Sequence, residues 1–136
     1  MTEIPAKKPE STEQLFDLAR NGDTDSLRSH LQKGVTPDLT DSNGNSFLIL
    51  VSALGDLQTC QLLLEFGANV NAASPEGKNP LMFAAMFNQA EIVDLLLANG
   101  ADAYAKSADG LTALALARAM GAEAATRRLA QHVELF

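Results

Sequence analysis

The chain has 136 residues, enough to bury a core of its own, and its 46% hydrophobic and 20% charged content excludes wholesale disorder. A net charge of −7 with a pI near 4.6 weighs against nucleic acid and anionic membranes, both of which attract clustered Lys and Arg. The single cysteine, Cys60, excludes an internal disulfide framework and suits a reducing compartment.

The opening "MTEIPAKKPESTEQ" has no apolar h-region, and no window holds the roughly 18 consecutive apolar residues of a membrane span. Residues 1–10 are therefore expected to be a disordered tail, and the chain to be cytoplasmic. From residue 11 the sequence repeats. Gly34, Gly67 and Gly100 are spaced 33 apart, as are Gly44, Gly77 and Gly110. Leu15, Leu48, Leu81 and Leu114 share one column of that register. Columns held in phase over three periods mark a repeat architecture. Four units are expected in one domain spanning 11–136: a cap at 11–40, inner units at 41–73 and 74–106, and a second cap at 107–136.

Each unit reads as helix, turn, helix, loop. Ser46, Asn79 and Thr112 can cap a first helix by accepting an otherwise unpaired backbone N–H. One to two turns of apolar residues follow. Gly55, Asn88 and Gly121 then end the helix, all types that tolerate a left-handed conformation. "LQTCQLLLE" and "AEIVDLLLA" place apolar residues at helical spacing for a second helix, stopped by Gly67 and Gly100. A polar loop leads to the next cap. One such pair cannot bury its apolar face alone, so neighbours must stack. The column of Leu62 and Leu95 ends in Ser29 and Arg128, as capping units require.

"GANVNA" at 67–72 and "EIVDLLLANGADA" at 91–103, on a 33-residue helix–turn–helix unit, resemble the ankyrin repeat. The resemblance covers about residues 11–132 and is specific in the two inner units. It implies an all-α solenoid of stacked helix pairs with β-hairpin-like finger loops, whose fingers and concave first-helix groove bind another protein. Ile49, Met82 and Ala115, with Phe16 in the first cap, stand where the family has His, and only Pro80 keeps the helix-starting Pro. Apolar packing must therefore replace the family's Thr/His hydrogen-bond pattern.

Sites with chemistry are few. Asp41, Asn43 and Asn45 have the spacing of a calcium loop, but Ser46 and Ser52 stand where such a loop needs Gly and an acid. The competing reading is a tight Asn-Gly turn at a finger tip. His30 and His132 are too few for a zinc site, and His30, in the column of Leu63 and Leu96, is expected to be partly buried. Cys60 aligns with Leu27 and Val93, so a buried structural thiol is expected. No phosphate loop, dinucleotide fingerprint or nucleophile elbow occurs, so neither catalysis nor a cofactor nor a resident metal is expected.

Between residues 40 and 110 eight acids face only Lys78 and Lys106, a net of −6. On the second helices Glu65, Glu91 and Asp94 read as a solvated surface. At the fingers Asp41, Glu76 and Asp109 are the better candidates for steering a basic partner. The resemblance places the ends of the first helices at Arg20–Asn21, Ala53–Leu54, Met86–Phe87 and Ala119–Met120, facing the groove. Leu54, Met86, Phe87 and Met120 would form an apolar stripe there, or fold back onto neighbouring helices. The expected partner-binding set adds the finger positions Asn43, Asn45, Glu76, Lys78, Asp109 and Leu111 to that stripe. The leading reading is a monomeric, non-catalytic adaptor or inhibitor whose protein partner has a basic or apolar surface. The alternatives are a homodimer through the stripe and, less favoured, a toxin-neutralising or enzyme-regulating protein.

Overall fold

The computed structural model describes residues 11–133 as eight helices joined by turns and loops. They are α1 (Thr12–Arg20), α2 (Thr24–Gln32), α3 (Phe47–Leu54), α4 (Leu57–Glu65), α5 (Pro80–Met86), α6 (Ala90–Ala98), α7 (Ala113–Ala119) and α8 (Glu123–Val133). The expected tail at 1–10 lies outside the described residues.

Consecutive helices pack as pairs, and the pairs stack in two rows. In one row α1, α3, α5 and α7 each pack on the next, and in the other α2, α4, α6 and α8 do the same. This is the all-α repeat solenoid the 33-residue period predicts. The reason lies at the helix ends. Ser46 Oγ, Asn79 Oδ1 and Thr112 Oγ1 accept from the N–H groups of Ile49, Met82 and Ala115, so each first helix starts one residue after its predicted cap. Gly55, Asn88 and Gly121 take φ of 84°, 60° and 70° just beyond each first helix, turning the chain into the second. The first unit departs from the register. Ser11 caps α1 and Gln14 returns the bond to the Ser11 N–H, so α1 begins two residues before the column of Ser46 would place it.

The column Leu15, Leu48, Leu81 and Leu114 is buried throughout, as are Leu63, Leu96 and Leu129 on the second helices. Where the family has His, Phe16, Ile49 and Met82 are buried, and Phe16 stacks on Phe47 with ring centroids 4.1 Å apart. Apolar contact has replaced the polar pattern, as the sequence requires. His30 is half-buried. The terminal pairs present polar outer faces: Gln14 is exposed in the column of buried Phe47 and Pro80, and Arg118 in the column of buried Ser52 and Ala85.

Side chains latch each unit to the next at fixed intervals. Asp38 Oδ1 accepts from the Asn69 N–H and Asn71 Oδ1 from the Asp102 N–H, both at 2.8 Å. Gln89 Nε2 donates back to the Ala53 carbonyl at 3.2 Å, and Asn88 Oδ1 accepts from the Ala125 N–H at 2.9 Å. These bonds fix how each pair sits on its neighbour, and with it the spacing of everything the first helices display.

Candidate functional site: the finger loops and the first-helix ends

Three loops precede α3, α5 and α7, and all three close in the same way. The N–H groups of Asp41, Ser74 and Ser107 donate to the carbonyls of Asn45, Lys78 and Leu111, each at 2.9 Å. The first carries the one β-bridge among the described residues, Thr40 to Ser46. Each loop is thus a minimal hairpin without extended strands. The side chain at its first position supports the turn: Asp41 Oδ1 accepts from the Asn45 N–H, and the Ser74 and Ser107 hydroxyls accept from Lys78 and Leu111.

This geometry separates the finger candidates into two kinds. Asn43, Glu76 and Asp109 occupy the tips and are exposed. Asn45 and Lys78 are half-buried and Leu111 is only just exposed, since that column closes the hairpin. Adjacent tips are clipped together where the Ala108 N–H donates to the Glu76 carbonyl at 2.9 Å. Asp41 does not project as a free carboxylate. Its Oδ1 accepts from both Asn43 and Asn45, so the calcium-like spacing is the signature of an Asx turn. Among the described residues no group of three His, Cys, Asp or Glu side chains is placed to hold a metal ion.

At the other end of the same helices the apolar row appears. Leu54, the last residue of α3, is 53% exposed, Phe87 beyond α5 is 53% exposed and Met120 beyond α7 is 56% exposed. They share one column at the C-terminal ends of three successive first helices. Met86 is placed differently: it is half-buried and packs against the core. The pair that looked alike in sequence divides into an inward Met86 and an outward Phe87. Asn21 continues the column into the first unit as an exposed polar residue.

The acids also divide. Glu65 pairs with Arg28 at 3.3 Å, and Asp94 pairs with Arg128, linking outer helices of neighbouring units. Both cations lie outside the 40–110 window, so the net of −6 over that window overstates the charge the second helices present. Over the loops at 36–46, 69–79 and 102–112, the five carboxylates of Asp38, Asp41, Glu76, Asp102 and Asp109 oppose Lys78 and Lys106, a net of −3. Over the second-helix segments at 24–34, 57–67, 90–100 and 123–133, five acids oppose four Lys and Arg, a net of −1. With Asp23 and Asp56, the N-caps of α2 and α4, added, the second-helix side also carries a net of −3, so the negative charge is spread over both sides.

Two residues at this surface were not singled out from sequence. Tyr104 is 64% exposed in the loop after α6, in the column of the latch residues Asp38 and Asn71. An aromatic in a column of Asx latches was the available signal. Gln89, through its bond to Ala53, holds the end of α3 beside the turn that presents Phe87. Cys60 is fully buried with its Sγ 3.7 Å from Ser52 Oγ. Burial pushes its pKa up to about 12, with the Ser52 hydrogen bond opposing and the Asp56 charge adding. That is a structural thiol, as its column implied.

No helix among the described residues is long and apolar enough to cross a membrane. The family model described as ankyrin repeats (3 copies) matches residues 15–107. An ankyrin repeat protein of Pseudomonas aeruginosa is 40% identical over 60 residues, which cover 44% of this chain and 35% of that relative. The match thus spans about a third of the length of the curated relative. With its 33-residue period, stacked helix pairs and hairpin fingers, the chain belongs to the ankyrin repeat family.

Proposed function

We propose that this protein is a non-catalytic protein–protein interaction module, acting as an adaptor or inhibitor, and that it holds its partner between the finger tips and the exposed ends of the first helices. Ankyrin repeats generally mediate protein–protein interaction and are typically not catalytic. The observation that carries the placement is the row Leu54, Phe87 and Met120, three large apolar side chains more than half exposed in one column of a soluble-looking, acidic surface. Scattered exposed apolar residues need no explanation, but a row repeated on three stacked helices does. Asn43, Glu76 and Asp109 at the tips supply polar and acidic contacts at the opposite ends of the same first helices. Self-association through the same row is the competing use of it. The net charge of −7 on every copy opposes that use, so a monomer in a reducing cytoplasm is the state proposed.

The test is capture of partners from the native cell by the tagged full-length protein, with identification by mass spectrometry. A Leu54→Ser, Phe87→Ser double variant should lose the captured partner while keeping its helical circular dichroism and cooperative melting. Retention of the same partner would move the site away from the first-helix ends. A concentration-dependent dimer in sedimentation that the double variant abolishes would favour self-association.

A further inference from the structure

The three finger loops are built alike but are not joined alike. The second and third are clipped at their tips by the Ala108 N–H, which donates to the Glu76 carbonyl at 2.9 Å. One period earlier the same two positions are held by Pro75 and Asn43. Proline has no N–H, so the Asn43 carbonyl lacks the donor that its counterpart at Glu76 receives. The pyrrolidine ring takes the donor's place. A β-carbon on Gly44 would stand 2.7 Å from the Pro75 Cγ, whereas one on Gly77 would stand 2.9 Å from the Ala108 nitrogen. The first seam is thus glycine against a proline ring, a dispersion contact with no preferred direction. The second seam is a hydrogen bond, which has one.

The first finger also closes on itself. The Asp41 N–H donates to the Asn45 carbonyl and the Gly44 N–H to the Asp41 carbonyl, both at 2.9 Å, while Asp41 Oδ1 accepts from Asn43 and Asn45. Among the described residues no hydrogen bond runs from residues 41–45 to the second finger. The loops are tied below the fingers, where Asp38 Oδ1 accepts from Asn69 and Asn71 Oδ1 from Asp102. Tilting the first finger about that base therefore breaks no hydrogen bond. Tilting the second away from the third breaks the Ala108–Glu76 bond.

We propose that the fingers form one fixed pair and one separately adjustable member. Glu76 and Asp109 keep a set spacing, and Asn43 swings against them about the base of its loop. The first finger moves as a unit, because the bonds that close it persist as it tilts. Pro75 is the device that uncouples it, by withholding one N–H from an otherwise repeated seam. This is a property of the free protein and stands apart from the protein-binding reading. Where a partner engages the fingers, the second and third meet it as a preset surface, and the first adapts by a shift among tilts already populated.

The experiment is backbone amide relaxation by NMR on the full-length protein and on two reciprocal variants. In the parent, order parameters at 42–45 are expected at about 0.6 or below, against about 0.85 at 76–78 and 108–111. Relaxation dispersion on the same samples reads slower tilting, and exchange at 42–45 alone would support the proposal equally. Pro75→Ala supplies an N–H opposite the Asn43 carbonyl and should bring residues 42–45 to the rigidity of the second finger. The new amide at position 75 should exchange at least about tenfold more slowly than that of Ser42, its exposed counterpart in the first finger. Ala108→Pro places a residue that this column already accepts at Pro75, removes the clip and should loosen residues 109–111 to match the first finger. Three fingers equally rigid on both timescales would overturn the proposal. So would a first finger unmoved by Pro75→Ala, or a third finger unmoved by Ala108→Pro. Circular dichroism of both variants keeps tip motion separate from loss of folding. No partner enters these measurements, so their failure leaves the binding reading intact, and failed partner capture leaves them intact.

Discussion

Asn88 Oδ1 accepts the backbone N–H of Ala125, 37 residues further along, at 2.9 Å. This bond caps α8 from the preceding unit. Asp23 and Asp56 cap α2 and α4 locally, accepting from Ser26 and Thr59, but the same column holds Gln89 and then Ala122. Ala122 has no acceptor to offer, and Asn88 supplies it across the unit boundary. It does so from φ 60°, the one positive φ outside glycine among the described residues.

Two effects therefore meet at Asn88. Replacing it by Ala removes a helix cap worth about 1 kcal/mol and puts a residue less tolerant of the left-handed conformation than Asn at φ 60°, which adds up to about 1 kcal/mol. The expected loss is about 2 kcal/mol in urea unfolding. Asn88→Gly loses the cap but relieves the backbone, and should stay within about 1 kcal/mol of the parent. Asn88→Asp keeps the acceptor and adds a negative charge at the start of α8, so it should match or exceed the parent. Amide exchange at Ala125 should rise in the Ala and Gly variants only. Equal stability of Asn88→Ala and the parent would show that the cross-unit cap carries nothing.

Gly77 and Gly110 occupy the same finger position with φ 78° and 82°. A β-carbon at Gly77 would stand 2.9 Å from the Ala108 nitrogen, whereas at Gly110 nothing lies within 4 Å. Gly110→Ala should cost only the left-handed backbone penalty, about 1–2 kcal/mol. Gly77→Ala should cost more, because it also pushes apart the tips joined by the Ala108–Glu76 bond. Comparing the two denaturation midpoints isolates the clash. Identical losses would mean that the tips move apart freely, and the finger wall would then be pliable.

Much of this architecture is written locally. The caps at Ser46, Asn79 and Thr112 and the left-handed stops at Gly55, Asn88 and Gly121 are choices of residue type at fixed spacing, so a period exposes them. The bonds between units are another matter. Asn88 reads as a helix terminator because that is its local function; its capping of α8 depends on the stacking geometry. The pairs Arg28–Glu65 and Arg128–Asp94 span more than thirty residues, so acids that read as a solvated face are partly neutralised by cations from the end units. Met86 and Phe87 differ by one position, about 100° around a helix, and apolarity alone does not say which of the two turns inward. The exposure of Tyr104 has no signature in a helix-face pattern, because its column belongs to the latches between units.

Cys60 gives the fold a dependence on alkaline pH. Its folded pKa is raised from 9.0 to about 12, so the native state keeps the proton that the unfolded chain releases. Stability from this group is whole below pH 9 and falls as pH rises from there toward 12, by about 1.4 kcal/mol per unit at most. Cys60→Val, which places the residue of the Val93 column in the same environment, should flatten that part of the stability curve, at a pH-independent cost of about 1 kcal/mol for the buried Ser52 hydroxyl it leaves without the thiol. Native protein should also resist iodoacetamide near pH 8 and react once unfolded in urea. Rapid labelling of the folded protein would show that the thiol is reached by local opening.

The two alternatives for the apolar stripe, facing out or folding back, make opposite statements about stability. Phe87 is more than half exposed, so Phe87→Ser removes only part of the ring's burial and should lower stability in urea by about 1 kcal/mol. Met86 packs against the core although half-buried, so Met86→Ala should cost about 1–2 kcal/mol, less than the 2–5 of a fully buried side chain. Leu54→Ser and Met120→Ser should behave like Phe87→Ser, since both share its column and exposure. The combined triple variant should therefore fold with the parent's cooperativity and bind less of a dye that reports exposed apolar surface. A loss above about 1.5 kcal/mol for Phe87→Ser alone would mean that the ring packs on α5 in solution. The row would then be core, and the partner surface would have to be sought at the finger tips alone.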